Sequence, residues 1–191
     1  MAGIGTSHLE RDSIVSFVQN HLLIISERIA LAWILSQEQM AFPTYRARSA
    51  ARLAEGDRLF IYTTRGCFHN PTRDRGRVAA IALMAGSVTV LNEPRTVGGR
   101  EFGLLCDITV TGVAPLREGV ELQSFQPPLD LVASSKNWAV SLRTPVLRLT
   151  LADADRLAER LGSLTRPRSE VIDDYIQAGI PVRRRTSAAV K

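Results

Sequence analysis

Four short stretches rich in aromatic and β-branched residues, separated by glycine, proline and charged turns, constrain this chain more than any other feature. The clearest is 57–64 (DRLFIYTT), where Leu59, Phe60, Ile61 and Tyr62 stand in a row. A strand of that composition packs well on a pleated, buried surface. Residues 77–84 and 87–91 read as two further strands, or as one strand bent around Gly86. Another strand, 102–113, follows the turn at Gly98-Gly99.

Helical signals flank these stretches. In 8–25, Leu9, Ile14, Phe17, Val18, His21, Leu22 and Ile25 share one helical face behind a Ser7 cap with Glu10 three residues on, which predicts an N-terminal amphipathic helix. The apolar run 28–36 (RIALAWILS) reads as a buried strand. After Pro43, 44–54 reads as a short helix closed by Glu55-Gly56-Asp57. Region 115–136 is loop-like, and 137–150 contains the last strand, interrupted by Pro145. Residues 151–161 form an amphipathic helix, with Asp153 and Asp155 in its first turns, where they favour the helix dipole.

This order predicts an α+β protein: a small, mixed, mainly antiparallel β-barrel flanked by helices. Three parts are expected. They are an N-terminal helical extension (1–27), one domain (28–165), and a basic, peripheral C-terminal tail (166–191) with a helix near 169–178. A length of 191 residues suits one core.

No apolar run approaches a membrane span, and the N-terminus lacks the layout of a signal peptide, so a cytoplasmic location is the default. Cys67 and Cys106 are far apart and form no CxxC pair, which argues against a disulfide framework or a zinc site. The net charge of +5 is uneven, with ten basic and five acidic residues in 41–105. Arg65, Arg73, Arg75 and Arg77 crowd one glycine-containing loop opposed only by Asp74, with Arg46 upstream. Such a loop suits phosphate contacts, and equally suits a plain solvated surface.

Conventional catalytic patterns are absent. His8, His21 and His69 make no HxxxH or HExxH pair, and no glycine pattern of a nucleotide loop occurs, so neither metal nor cofactor is expected. Cys67 and His69 are a close thiol–imidazole pair without an orienting carboxylate beyond Asp74. A hydrolase could still assemble its acid and base from residues distant in sequence.

Several short motifs recur in a fixed order. Trp33-Ile34-Leu35-Ser36 is followed by Phe42, then Glu55-Gly56-Asp57 running into Phe60-Ile61-Tyr62-Thr63. Next come 76–83 (GRVAAIAL), Asn137-Trp138, Leu142-Arg143, and the helix from Asp153. Over roughly 28–161 this order resembles an EVE domain, a member of the PUA-like superfamily related to YTH and ASCH domains.

The resemblance implies a PUA-like barrel whose pocket accepts one extruded base. It points to a binding protein that reads a modified base in nucleic acid, foremost 5-methylcytosine or 5-hydroxymethylcytosine in DNA. Reading such a base means lifting it from the stack, covering its faces with aromatic groups and testing its edge with hydrogen bonds. Trp138, Tyr62, Trp33, Ser36, Phe42, Thr63 and Asn137 are the base-pocket candidates, and Arg65, Arg73, Arg75, Arg77 and Arg46 the backbone contacts. On a regular strand Trp33 and Ser36 would face opposite sides, and Tyr62 and Thr63 likewise. A tryptophan in an apolar run can also serve the core alone. Rival readings are an ASCH-like hydrolase of modified nucleosides, for which Lys136 is the one lysine in the folded region, an RNA-binding PUA-like module, and a homo-oligomer joined through the N-terminal helix or C-terminal tail.

Overall fold

In the computed structural model, which describes residues 18–70, 72–133 and 138–180, the run around Phe60 lies inside a seven-stranded sheet. The elements are β1 (Asn20–Ile25), α1 (Arg28–Gln37), β2 (Gln39–Phe42), a 3-10 turn (Thr44–Arg46), α2 (Ala47–Ala50), β3 (Arg58–Thr63), β4 (Arg77–Met84), β5 (Thr89–Val97) and β6 (Arg100–Val113). A second 3-10 turn (Leu122–Ser124), α3 (Asp130–Ala133), α4 (Trp138–Ser141), β7 (Val146–Leu149), α5 (Leu151–Gly162) and α6 (Arg168–Gly179) complete the fold.

The strand order is β2-β6-β4-β3-β1-β7, and every pairing is antiparallel except β1 with β3. The long β6 curls the sheet. Its first half pairs with β5 and β2, its second with β4. β4 and β5 thus follow one another along successive stretches of β6, so both sequence readings of 77–91 catch part of the geometry. The result is a curled, mainly antiparallel half-barrel flanked by helices, the α+β arrangement expected.

Both faces of the sheet are covered, which explains the unbroken apolar run in β3. Leu59 and Ile61 join a core under α1 and α6 with Leu23, Leu31 and Tyr175. Phe60 and Tyr62 join a second core under α5 with Leu22, Phe125 and Leu157. Each fully buried leucine or phenylalanine contributes about 1.5–3 kcal/mol relative to exposure.

Two expected elements are exchanged. The helix expected over 8–25 is, at 20–25, the strand β1. Residues 1–17 lie outside the described residues. β1 is enclosed by β3 and β7, and Leu22 and Leu23 point to opposite cores, so its apolar pattern comes from two-sided burial and not from a helical face. The strand expected over 28–36 is the helix α1, with Leu31, Ala32, Ile34 and Leu35 buried. Short apolar runs do not reveal their period, and here alanine and leucine favour the helix. β1 therefore belongs to the sheet of the domain, although it lies upstream of the expected boundary at 28.

The segment 166–180 is not a peripheral tail. Val171 and Tyr175 of α6 are buried, and the Tyr175 hydroxyl donates to the Ala114 carbonyl at 2.9 Å. Gly179 lies against the Ala32 methyl, where a side chain would not fit. Arg168 donates to the carbonyls of Leu35 and Ser36 at 3.2 and 3.3 Å, capping the end of α1. Residues 181–191 lie outside the described residues.

One polar cluster fixes the start of the sheet. Asp57, 1% exposed, accepts hydrogen bonds from Gln19 N–H (2.8 Å), Ala54 N–H (2.9 Å) and His21 Nε2 (3.1 Å). Burial lowers the His21 pKa and outweighs the attraction of Asp57, so the imidazole is neutral and donates through Nε2. This clasp sits beside the Asn20–Arg58 pairing and sets β1 on β3.

Candidate nucleic-acid interface

β1 and β3 run side by side and both open into loops at the same end, which gathers the functional candidates there. Thr64 N–H donates to the Ile25 carbonyl at 3.0 Å and Arg28 N–H to the Cys67 carbonyl at 3.0 Å, strapping the β1–α1 turn to the arginine-bearing loop. On the other side of β1, Ile24 N–H donates to the Pro145 carbonyl at 2.9 Å.

Two concavities lie at this end. The first, about 540 Å³, lies between α1, β2, the 3-10 turn and the β5–β6 hairpin, and Trp33, Phe42, Tyr45 and Phe102 supply aromatic walls. Its rim carries Arg46, Arg100 and Arg143. The second is a groove of about 790 Å³ beneath the 64–76 loop, lined by Tyr62, Trp138, Arg65, Arg73 and Arg75. Thr64, Leu142 and Arg143 line both.

The expected site residues are thus divided between two places. Trp33 and Phe42 enter the first cavity, Trp33 from a helix and not from the expected strand. Phe42 is 3% exposed, a floor and not a rim. Ser36 lines neither cavity. Its hydroxyl donates to the Trp33 carbonyl at 3.1 Å, one helical turn back. Thr63 also lines neither, being buried with its hydroxyl donating to the Arg77 carbonyl at 3.2 Å.

Tyr62 and Trp138 do meet in the groove. Tyr62 is nonetheless 4% exposed and packed in the second core, and its hydroxyl lies against Gly76, where any side chain would collide with it. Burial pushes its phenol up to about 12, so it stays protonated. Trp138 opens the short helix α4 where a loop was expected, and is half-buried against the same core. Asn137 lies outside the described residues, as does Lys136.

The arginines also separate by role. Arg77 is half-buried, bonded to Glu121 at 2.9 Å and to the Gly119 carbonyl at 3.1 Å, so it braces the loop. Arg75 reaches the same Glu121 at 3.2 Å but remains 69% exposed. Arg65 and Arg73 are exposed along the groove. Arg46 stacks over the Tyr45 ring at 5.3 Å on the rim of the first cavity. Asp74 is paired with Arg117 at 3.3 Å.

Sequence reasoning missed Tyr45, Phe102, Arg100 and Arg143. Only the fold brings these four together, from three separate stretches of the chain: the 3-10 turn, the start of β6 and the segment after α4. Tyr45, 80% exposed beside an apolar cavity, carries a local clue in its position just after Pro43. The Cys67–His69 pair makes no dyad. Cys67 is fully buried, its thiol pushed up to about 12 by burial, and His69 turns to Glu27 at 3.5 Å. Among the described residues no cluster of three or more ligating side chains could hold a metal, and no helix is long and apolar enough to cross a membrane.

No family model and no curated protein matches the chain. Solved structures do. A hypothetical protein from Leishmania major shares 13% identity at a TM-score of 0.52, over 77% of this chain and 96% of that one. A protein from Pseudomonas syringae shares 18% identity at a TM-score of 0.49, over 74% of this chain and 99% of that one. The MmI1 YTH domain shares 6% identity at a TM-score of 0.48, over 76% and 96%. The likeness to the Leishmania protein shows a common fold.

Proposed function

We propose that this protein is an EVE-type reader of a modified base in nucleic acid, foremost 5-methylcytosine or 5-hydroxymethylcytosine in DNA, and that it binds without turning its ligand over. The observation that carries the reading is the shared wall of Thr64, Leu142 and Arg143 between an aromatic cavity and an arginine-bearing groove. A nucleotide has a flat apolar part and an anionic part joined by a sugar, and two adjoining sites of these characters match it. The base enters the first cavity beside Trp33, with Tyr45 at the mouth, while Arg65, Arg73, Arg75 and Arg143 face the flanking phosphates. A volume of about 540 Å³ falls within the roughly 300–1,000 Å³ of small-molecule sites.

This places the base in the cavity of Trp33 and assigns Trp138 to the sugar or base that follows it. The alternative, a base held between Trp138 and Tyr62, would need room on a tyrosine ring already packed in the core. Binding of the parent, Trp33→Ala and Trp138→Ala to matched modified and plain duplexes tests the choice once each variant is shown to be folded. Removing a stacking face costs about 1–3 kcal/mol. Trp33→Ala should erase the preference for the modified site. If Trp138→Ala erases it and Trp33→Ala does not, the base sits in the groove; if the parent has no preference for any modified base, the reader proposal fails. Release of a modified nucleoside or base on incubation would instead identify a hydrolase.

A further inference from the structure

Among the described residues lining the aromatic cavity, Glu27 is the one acid, set among Arg46, Arg100 and Arg143. It lies at the turn between β1 and α1, 3.6 Å from Arg100 Nη2 and 3.5 Å from His69 Nε2. Both separations exceed the roughly 2.7–3.2 Å of a hydrogen bond. The guanidinium and the imidazole therefore lie beside the carboxylate without occupying its lone pairs at bonding distance. Its side chain is 39% exposed, so a ligand entering the cavity can reach it.

The carboxylate thus offers a ligand in the cavity an acidic contact amid the three arginines. Toward a base it is an acceptor with nothing to donate. An exocyclic amino group presents an N–H to it, whereas a keto oxygen in the same place sets lone pair against lone pair. We infer that Glu27 reads the edge of the base, accepting from an exocyclic amine and rejecting a keto group there, so that the cavity takes bases of the amino type. This rests on the base-extrusion reading above. Acidic side chains accept from the cytosine amino group in this manner, and a well-made contact discriminates by roughly tenfold or more.

The test uses duplexes with one 5-methylcytosine or one thymine opposite an abasic site, which removes the pairing partner in both cases. These bases differ at carbon 4, amino against keto, and in the protonation of the adjacent nitrogen that follows. The parent should prefer 5-methylcytosine by about tenfold, and Glu27→Gln, whose amide both donates and accepts, should reduce that preference toward one. Glu159→Gln, on the exposed face of α5, should keep it. Should glutamine prevent folding, Glu27→Asp withdraws the carboxylate by one methylene and should also lose the preference. A parent that binds both abasic-opposed duplexes more tightly than a paired one, yet prefers thymine or neither, overturns the role of Glu27 and leaves base extrusion standing. So does a folded Glu27→Gln that keeps the parent's preference. A parent that binds abasic-opposed sites no better than paired duplex overturns the extrusion reading, and this inference with it.

Discussion

Replacing Asp57 by alanine should unfasten the end of the sheet where β1 and β3 begin, opposite the end that carries the site. Its carboxylate accepts three hydrogen bonds, from Gln19 N–H at 2.8 Å, Ala54 N–H at 2.9 Å and His21 Nε2 at 3.1 Å. Bonds to a charged acceptor are worth about 1.5–3 kcal/mol each. The three losses are not equal. Gln19 and Ala54 lie near solvent, where water replaces much of what is lost, while His21 is 3% exposed and its imidazole N–H would be stranded. A cost of about 3–5 kcal/mol follows, a large share of the roughly 5–15 kcal/mol that holds a domain folded. Asp57→Asn should cost less, about 2 kcal/mol, because its carbonyl still serves one donor while its amide faces the others. Urea unfolding followed by circular dichroism measures both, with the slope m checked for constancy. A loss under about 1 kcal/mol for alanine would refute the assignment of Asp57 as the clasp between β1 and β3.

Acid should weaken the fold through His21. Its folded pKa is lowered from 6.5 by burial, so the unfolded chain takes up the proton first. Stability is full above about pH 6.5 and falls as pH drops from there toward the folded value, by at most about 1.4 kcal/mol per pH unit from this group. Calorimetry from pH 7.5 to 5.5 should show that component in the parent and not in His21→Gln. Binding to plain DNA should weaken with salt at a log–log slope of about −3 to −4 if Arg65, Arg73, Arg75 and Arg143 each meet a phosphate, and a slope near zero in fluorescence titrations would exclude the groove as a phosphate track. Gly76→Ala should cost about 1–3 kcal/mol in thermal unfolding by driving a methyl group onto the Tyr62 hydroxyl; an unchanged melting temperature would mean that Tyr62 is free to move into the groove.

The sequence by itself determined the class and most of the strands, because β3, β4, β6 and α5 carry their own signals. LFIY is apolar throughout, Gly98-Gly99 marks the hairpin with φ of 58° and 77°, and α5 carries one apolar face with Asp153 in its first turn. It also brought out the arginine-bearing loop and a set of aromatic candidates. The tertiary structure decided the identities of β1 and α1, since a run of six to ten apolar residues looks the same whether covered on two faces or wound against a neighbour. It decided the docking of α6, which depends on Gly179 meeting Ala32 and on Arg168 reaching carbonyls 132 and 133 residues earlier. Above all it decided which candidates share a site. Trp33 joins Phe42, Tyr45 and Phe102, while Trp138 joins the arginines, because β1 and β3 run parallel and release their following loops at one end of the sheet. That proximity comes from hydrogen bonds between strands 38 positions apart, formed only when the whole sheet closes.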